Sequence, residues 1–273
     1  MIIISSRRSF EDADRFAEQD ELAEVTIGPG GSIVRKQVMQ PSEMKQAVAG
    51  KSVLVLIHGY NNELEDALRA YNHIEGRVGS LPAPFAYDLV IGYAWPGGDR
   101  RIDYHSARRR ASVSGERFLS WLSAFADAPY VDVMTHSMGT RVFLRGLSMD
   151  VLEGAAPIRY HLATASAVDN ESIEFGEPFY TGTQHTKGTW VFHSKRDGTL
   201  RYAYTIGDCD IALGLTGPED PAKIARYSKN VKVVNCRAYV GSHGDYKKCS
   251  EFYNFLKKIL ADEHPVSRQF YTL

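Results

Sequence analysis

Three residues far apart in the chain are of the types that acyl transfer needs: Ser137, Asp197 and His243. A serine hydroxyl attacks a carbonyl poorly until a base takes its proton, and an imidazole does that near neutral pH. The imidazole needs a carboxylate behind it to hold its tautomer and stabilise its cation. The order serine, aspartate, histidine is the one that accompanies a serine on a sharp strand-to-helix turn. Asp169 is the alternative acid, because it too follows an apolar stretch of strand length. Asp197 is favoured by Gly198 behind it, which permits a tight turn back toward the histidine. Asp169 could instead cap a helix near Glu171 or line a pocket.

These side chains need a scaffold that brings three strand ends together. Ser137 lies in Thr135-His136-Ser137-Met138-Gly139, after the apolar-rich run Tyr130–Met134 and before Thr140–Leu147, whose apolar residues fall at helical spacing. A strand, a turn and a helix would lift the hydroxyl off the sheet. They would also set the Met138 N–H at a helix N-terminus, where it can bind a developing oxyanion. Gly139 would let the helix start close to a neighbouring strand. The usual pattern is G-x-S-x-G, and Thr135 stands where its first glycine belongs, so a β-branched side chain needs room there.

The rest of the chain alternates apolar strands with amphipathic helices. Val53–Ile57 is a continuous β-branched and leucine run, as in a strand buried on both faces of a parallel sheet. A helix over 63–78 follows, with Asn62 as its N-cap. Strands are expected at 88–95, 130–134, 161–165, 189–194 and, last, 231–236, with helices over 106–126 and 245–260. Ile2–Ile4 reads as a short strand, and Val25–Ile27 with Ser32–Val34 as a hairpin turning on Gly28-Pro29-Gly30-Gly31. The glycines are no phosphate loop, since no Gly-Lys-Ser/Thr follows them. The pattern predicts an α/β fold with a mostly parallel, doubly wound sheet and an N-terminal antiparallel hairpin, in a single domain over 1–273. Residues 200–230 read as helical excursions or a cap. In such a sheet the site lies outside the carboxyl ends of the strands, where His58–Asn62, Trp95-Pro96, Ser137, Asp169, Asp197 and His243 collect.

Composition excludes several classes. Of 273 residues 44% are hydrophobic and 24% charged, with a net charge of -1, so the chain can bury a core and has no electrostatic case for nucleic acid. The three cysteines lack metal-ligand spacing and argue against a disulfide framework, which points to the cytoplasm. Ile2–Ile4 is too short for a signal h-region, and no stretch reaches the length of a membrane span. Other histidines have bland readings: His58 bonds within its loop, His136 packs, and His193 is a core or near-site residue. Trp95 is read as a wall of the substrate pocket or as core. The arginines at 100, 101 and 108–110 read as a solvated face, with attraction of an acidic substrate as the minority reading.

Taken together, His58-Gly59-Tyr60-Asn61, Trp95-Pro96, His136-Ser137-Met138-Gly139, Asp197-Gly198-Thr199-Leu200 and Gly241-Ser242-His243 resemble the motifs of an α/β-hydrolase. They are similar in particular to the DUF900-type family of poorly characterised bacterial serine hydrolases. The resemblance runs in order from about Val53 to Leu260. It implies the α/β-hydrolase fold, the triad Ser137, Asp197 and His243, and a second oxyanion donor, the Tyr60 N–H, facing that of Met138. It implies a hydrolase using no metal or organic cofactor and acting on a small-molecule ester, whose alcohol leaves more easily than an amine. The alternatives are an amidase, thioesterase or acyltransferase on the same fold, or a binding protein that has lost turnover.

Overall fold

Val53-Leu54-Val55-Leu56-Ile57 has no polar face, so as a strand it must be covered on both sides. In the computed structural model, which describes residues 1–100, 103–149, 158–265 and 267–273, all five are buried in mid-sheet. The strands are β1 (Ile2–Arg7), β2 (Phe16–Ile27), β3 (Ile33–Val38), β4 (Val53–Ile57), β5 (Leu89–Ala94), β6 (Val131–His136), β7 (Ile158–Thr164), β8 (Thr186–His193), β9 (Val231–Asn235) and β10 (Phe270–Thr272). The longer helices are α1 (Pro41–Val48), α2 (Leu64–Gly79), α3 (Tyr104–Leu122) and α4 (Gly139–Leu147). Four short ones follow, α5 (Tyr180–Gln184), α6 (Thr205–Asp208), α7 (Leu213–Thr216) and α8 (Pro221–Tyr227), before the closing α9 (Ser250–Leu260).

Among the described residues the strands form one sheet, ordered β10-β9-β8-β7-β6-β4-β5-β1-β2-β3. Every pairing from β10 to β1 is parallel. Only β1–β2 and β2–β3 are antiparallel. This is the mixed, mostly parallel sheet that the sequence predicts. Parallel pairing sets the carboxyl ends of β4, β5, β6, β7 and β8 side by side, which is where the loops carrying the candidate site residues emerge. Among the described residues no helix is long and apolar enough to cross a membrane.

Several elements depart from expectation for local reasons. The hairpin is longer than the glycine turn suggested, because β2 and β3 continue through polar, largely exposed residues. Those exposed polar side chains on β3 blunt the sheet's edge. Helix α1 was not anticipated, having only Met44 and Val48 buried, too few for a periodic signal. Val231–Cys236 is not the last strand, since three-residue β10 pairs beside it. The α2 N-cap is Glu63, not Asn62, whose amide instead donates to the carbonyls of Gly59 (3.3 Å) and Tyr60 (2.8 Å). Helix α9 begins at Ser250 because Asp245 is committed to a turn, accepting from Gly241 N, Ser242 N and Ser242 Oγ.

Helix α4, which follows the serine turn, is clamped from two sides. A Cβ on Gly139 would lie 2.6 Å from the carbonyl oxygens of both Ile57 and His58, so the helix starts against the end of β4. A Cβ on Gly115 of α3 would lie 2.5 Å from Val142 O, so the two helices cross at backbone contact. Only glycine fits either approach.

Candidate active site

Ser137 occupies the turn between β6 and α4 with φ +55°. A non-glycine residue in this left-handed region costs about 1–3 kcal/mol, so its surroundings must over-determine it. They do: Ser137 N donates to Thr164 O (3.0 Å), and Ser137 O accepts from Thr140 N and Ala167 N (both 3.1 Å). Thr135, in the place of the pattern's first glycine, finds room opposite Ala163 on β7. Its hydroxyl is within hydrogen-bonding distance of Thr140 Oγ1 (3.0 Å) and His161 Nε2 (2.9 Å), so the extra side chain joins a buried polar cluster. Burial pushes His161 down to about 3, which keeps that cluster's imidazole neutral.

His243 and Asp197 meet directly, with Nδ1 to Oδ2 at 2.7 Å. The Asp197 side chain is buried, and its other oxygen accepts from Leu200 N at 3.0 Å. The histidine loop is fixed by the Asp245 carboxylate just described and by His136. Since a carbonyl can only accept, His136 Nε2 donates to His243 O (2.9 Å), and the two rings lie 4.6 Å apart. Burial, then the nearby His243, push His136 down to about 3, so it stays the neutral donor this contact requires. Packing alone, as read from the sequence, understates its part.

Ser137 and His243 open onto one cavity of about 550 Å³, together with Tyr60, Asn61, Met138 and Leu200. Among the described residues Ser137 Oγ makes no hydrogen bond, and the backbone N–H groups of Tyr60 and Met138 donate none. Gly59 explains how the Tyr60 loop comes so near: a Cβ there would lie 2.8 Å from Ser137 Cβ and 3.1 Å from His136 Nδ1. The aromatic wall is Tyr60, Tyr104 and Tyr204, stacked edge to face at centroid distances of 5.7 and 6.3 Å. Their hydroxyls are committed to Arg100 O, Asp208 and Asp169 respectively. Tyr104 and Tyr204 carried no signal in the sequence, because long-range packing alone brings them to Ser137. The 200–230 stretch is helical in pieces, and its first piece, Leu200–Tyr204, borders the cavity.

Of the two candidate acids, then, Asp197 meets His243, whereas Asp169 binds Tyr204 and bridges Ala212. The pocket-wall reading of Trp95 is corrected. Trp95 is fully buried, stacks on the His58 ring at 5.5 Å and does not line the cavity. His58 is buried and bonded within its loop through Nδ1 to Gly59 O (2.7 Å), and burial holds it well below the usual imidazole range. His193 ends β8, buried and pushed down to about 4 by that burial, with Nδ1 unpartnered. Of the basic run, Arg108 pairs with Asp208 and Arg110 with Asp14, while Arg100 is 3.7 Å from Asp99. Arg101 lies outside the described residues.

A family model described as "Alpha/beta hydrolase of unknown function (DUF900)" matches residues 36–249. No curated protein matches the chain. Among solved structures, an esterase from Pyrobaculum calidifontis is similar at 14% identity over 92% of this chain and 86% of its own, with a TM-score of 0.41. LpqC, a poly(3-hydroxybutyrate) depolymerase from Bordetella parapertussis, is similar at 12% identity over 94% of this chain and 80% of its own, with a TM-score of 0.38. At such identities and scores neither neighbour speaks for this chain's substrate.

Proposed function

Because the chain belongs to the DUF900 family of α/β hydrolases, we propose that it is a serine hydrolase that cleaves a carboxylic ester through an acyl-enzyme. The observation that carries this reading is the His243 imidazole, held by the buried Asp197, opening on the same cavity as Ser137. A fold alone does not imply an activity, but this constellation has a chemistry of its own.

Ser137 Oγ attacks the ester carbonyl as His243 Nε2 takes its proton. Asp197 holds the proton on Nδ1, so that Nε2 is the free base, and stabilises the imidazolium that forms. The unengaged N–H groups of Tyr60 and Met138 receive the oxyanion, each such donor being worth about 10²–10³ in kcat. His243 returns the proton to the leaving alcohol, and water repeats the sequence on the acyl-enzyme. An ester suits this site better than an amide because an alkoxide leaves more readily than an amide anion. The chemistry calls for no metal or organic cofactor. Three free cysteines, one exposed and two buried, favour the cytoplasm.

A panel of p-nitrophenyl esters from acetate to palmitate tests the reading. Turnover on part of the panel, abolished in His243→Ala, is expected. A folded protein inert to the whole panel would favour amide, thioester or binding roles instead.

A further inference from the structure

Arg7 ends β1 and has no exposed surface. Its Nε donates to Trp95 O (3.0 Å) at the end of β5, and its Nη2 donates to Asn62 O (2.9 Å). The same Nη2 lies 3.1 Å from His58 Nε2. A guanidinium only donates, so Nε2 accepts and the ring proton sits on Nδ1, from which it reaches Gly59 O at 2.7 Å. Trp95 stacks on the same ring and returns its Nε1–H to His58 O at 2.8 Å. Both ends of His58–Asn62, the segment that carries Tyr60, are therefore tied to one side chain from a strand at the chain's beginning.

That side chain is also a charge. Burial pushes the guanidinium down only to about 10, so it is a cation at neutral pH. Among the described residues no carboxylate forms an ion pair with it; Asp12 is paired with Arg8 and Asp14 with Arg110. Asp12, Asp14 and Glu63 act on it only from beyond ion-pair distance, and a buried cation without a direct partner is costly and calls for an explanation. Packing is not enough of one, since an unbranched apolar side chain would fill the space without that cost.

We propose that Arg7 is a positioning residue for the reaction, fixing the loop that presents the Tyr60 N–H to the oxyanion and setting a positive charge behind it. The proposal rests on the serine-hydrolase reading. It makes β1 part of the site, although Arg7 lies outside residues 36–249 that match the family. Arg7 touches neither substrate nor reacting atoms; it acts through His58 and Asn62.

The test uses the full chain with Arg7→Met and Arg7→Lys. Active sites are titrated with a fluorophosphonate so that misfolded protein drops out. The expected result for Arg7→Met is a kcat lower by about 10², the size of a lost oxyanion donor, with KM unchanged. Affinity for a trifluoromethyl ketone, whose adduct carries the oxyanion, should fall in proportion to kcat/KM. Arg7→Lys, which keeps the charge and loses the fork, should recover part of the loss. A kcat per titrated site equal to wild type, or a change in KM alone, overturns the proposal. Nitrogen-15 spectra of the histidines give a readout independent of turnover. Wild type should show His58 as the Nδ1–H tautomer, and Arg7→Met should disturb that signature. Unchanged His58 signals overturn the contact. Wild-type protein that neither hydrolyses esters nor takes the label overturns the hydrolase reading instead, and the spectra then decide Arg7's hold on the loop by themselves.

Discussion

Replacing Asp197 with asparagine probes how the base is held, and the structure says which way the new amide must face. The two carboxylate oxygens have different partners: Oδ2 meets His243 Nδ1 at 2.7 Å, and Oδ1 accepts the Leu200 N–H at 3.0 Å. An asparagine has one oxygen and one NH₂ for these two places. If the oxygen faces His243, the NH₂ is driven against the Leu200 N–H, leaving two buried donors face to face at about 1–3 kcal/mol. If the oxygen stays on Leu200 N, the NH₂ faces Nδ1 and makes it an acceptor. The ring proton then moves to Nε2, and the imidazole can no longer take the serine's proton. The Leu200 N–H therefore selects the unreactive tautomer. In the worked serine-protease case this inversion costs on the order of 10⁴ in kcat, about 5.4 kcal/mol. Asp197→Asn should thus stay folded, bind substrate with little change in KM and lose about four orders of magnitude in ester turnover. Stopped assays on a p-nitrophenyl ester measure the loss, and nitrogen-15 spectra of His243 read the tautomer. An Asp197→Asn protein within about tenfold of wild type, or a dead one whose His243 proton remains on Nδ1, would refute the reasoning.

Asp169→Asn should cost far less than Asp197→Asn, because an asparagine oxygen still accepts from Tyr204; a folded but inactive Asp169→Asn protein beside an active Asp197→Asn would reverse the assignment of the acid. Gly59→Ala should lower kcat by about 10² while the protein folds, because its Cβ would stand 2.8 Å from Ser137 Cβ and displace the Tyr60 N–H; wild-type turnover there would count against that donor. His161 and His193 should make the fold acid-sensitive. Their folded values are pushed down to about 3 and about 4, whereas in the unfolded chain they take up protons below ~6.5. The unfolded state therefore binds more protons as pH falls from ~6.5 toward ~4, and each histidine removes about 1.4 kcal/mol of stability per pH unit in that window. Urea midpoints at pH 7 and pH 5 measure this, and His161→Gln should lessen the drop; a drop that His161→Gln leaves unchanged contradicts it.

The sheet was legible because its central strands are apolar on both faces, as at Val53–Ile57, and because helices alternate with them. The residues proposed to do the chemistry were legible because they follow those strands, where a parallel sheet gathers loops from distant parts of the chain. What stayed hidden depends on packing between elements. Arg7 and Arg8 are neighbours in sequence, yet the first is wholly buried and the second is exposed. Nothing in Ser5-Ser6-Arg7-Arg8 tells which arginine turns inward toward the loop after β4. The rings of Tyr104 and Tyr204 meet only when the segment after β8 folds over α3. Trp95 misled because a tryptophan at a strand's end suits a pocket as well as a core, and here the His58 ring takes its face.

The central claim is that Ser137 is a nucleophile made reactive by its turn and by His243. Incubating the folded protein with a fluorophosphonate probe and mapping the adduct by mass spectrometry tests it most directly. The account predicts one adduct per chain, on Ser137, and none in Ser137→Ala. An adduct on another serine, or no adduct on folded wild-type protein, would contradict it.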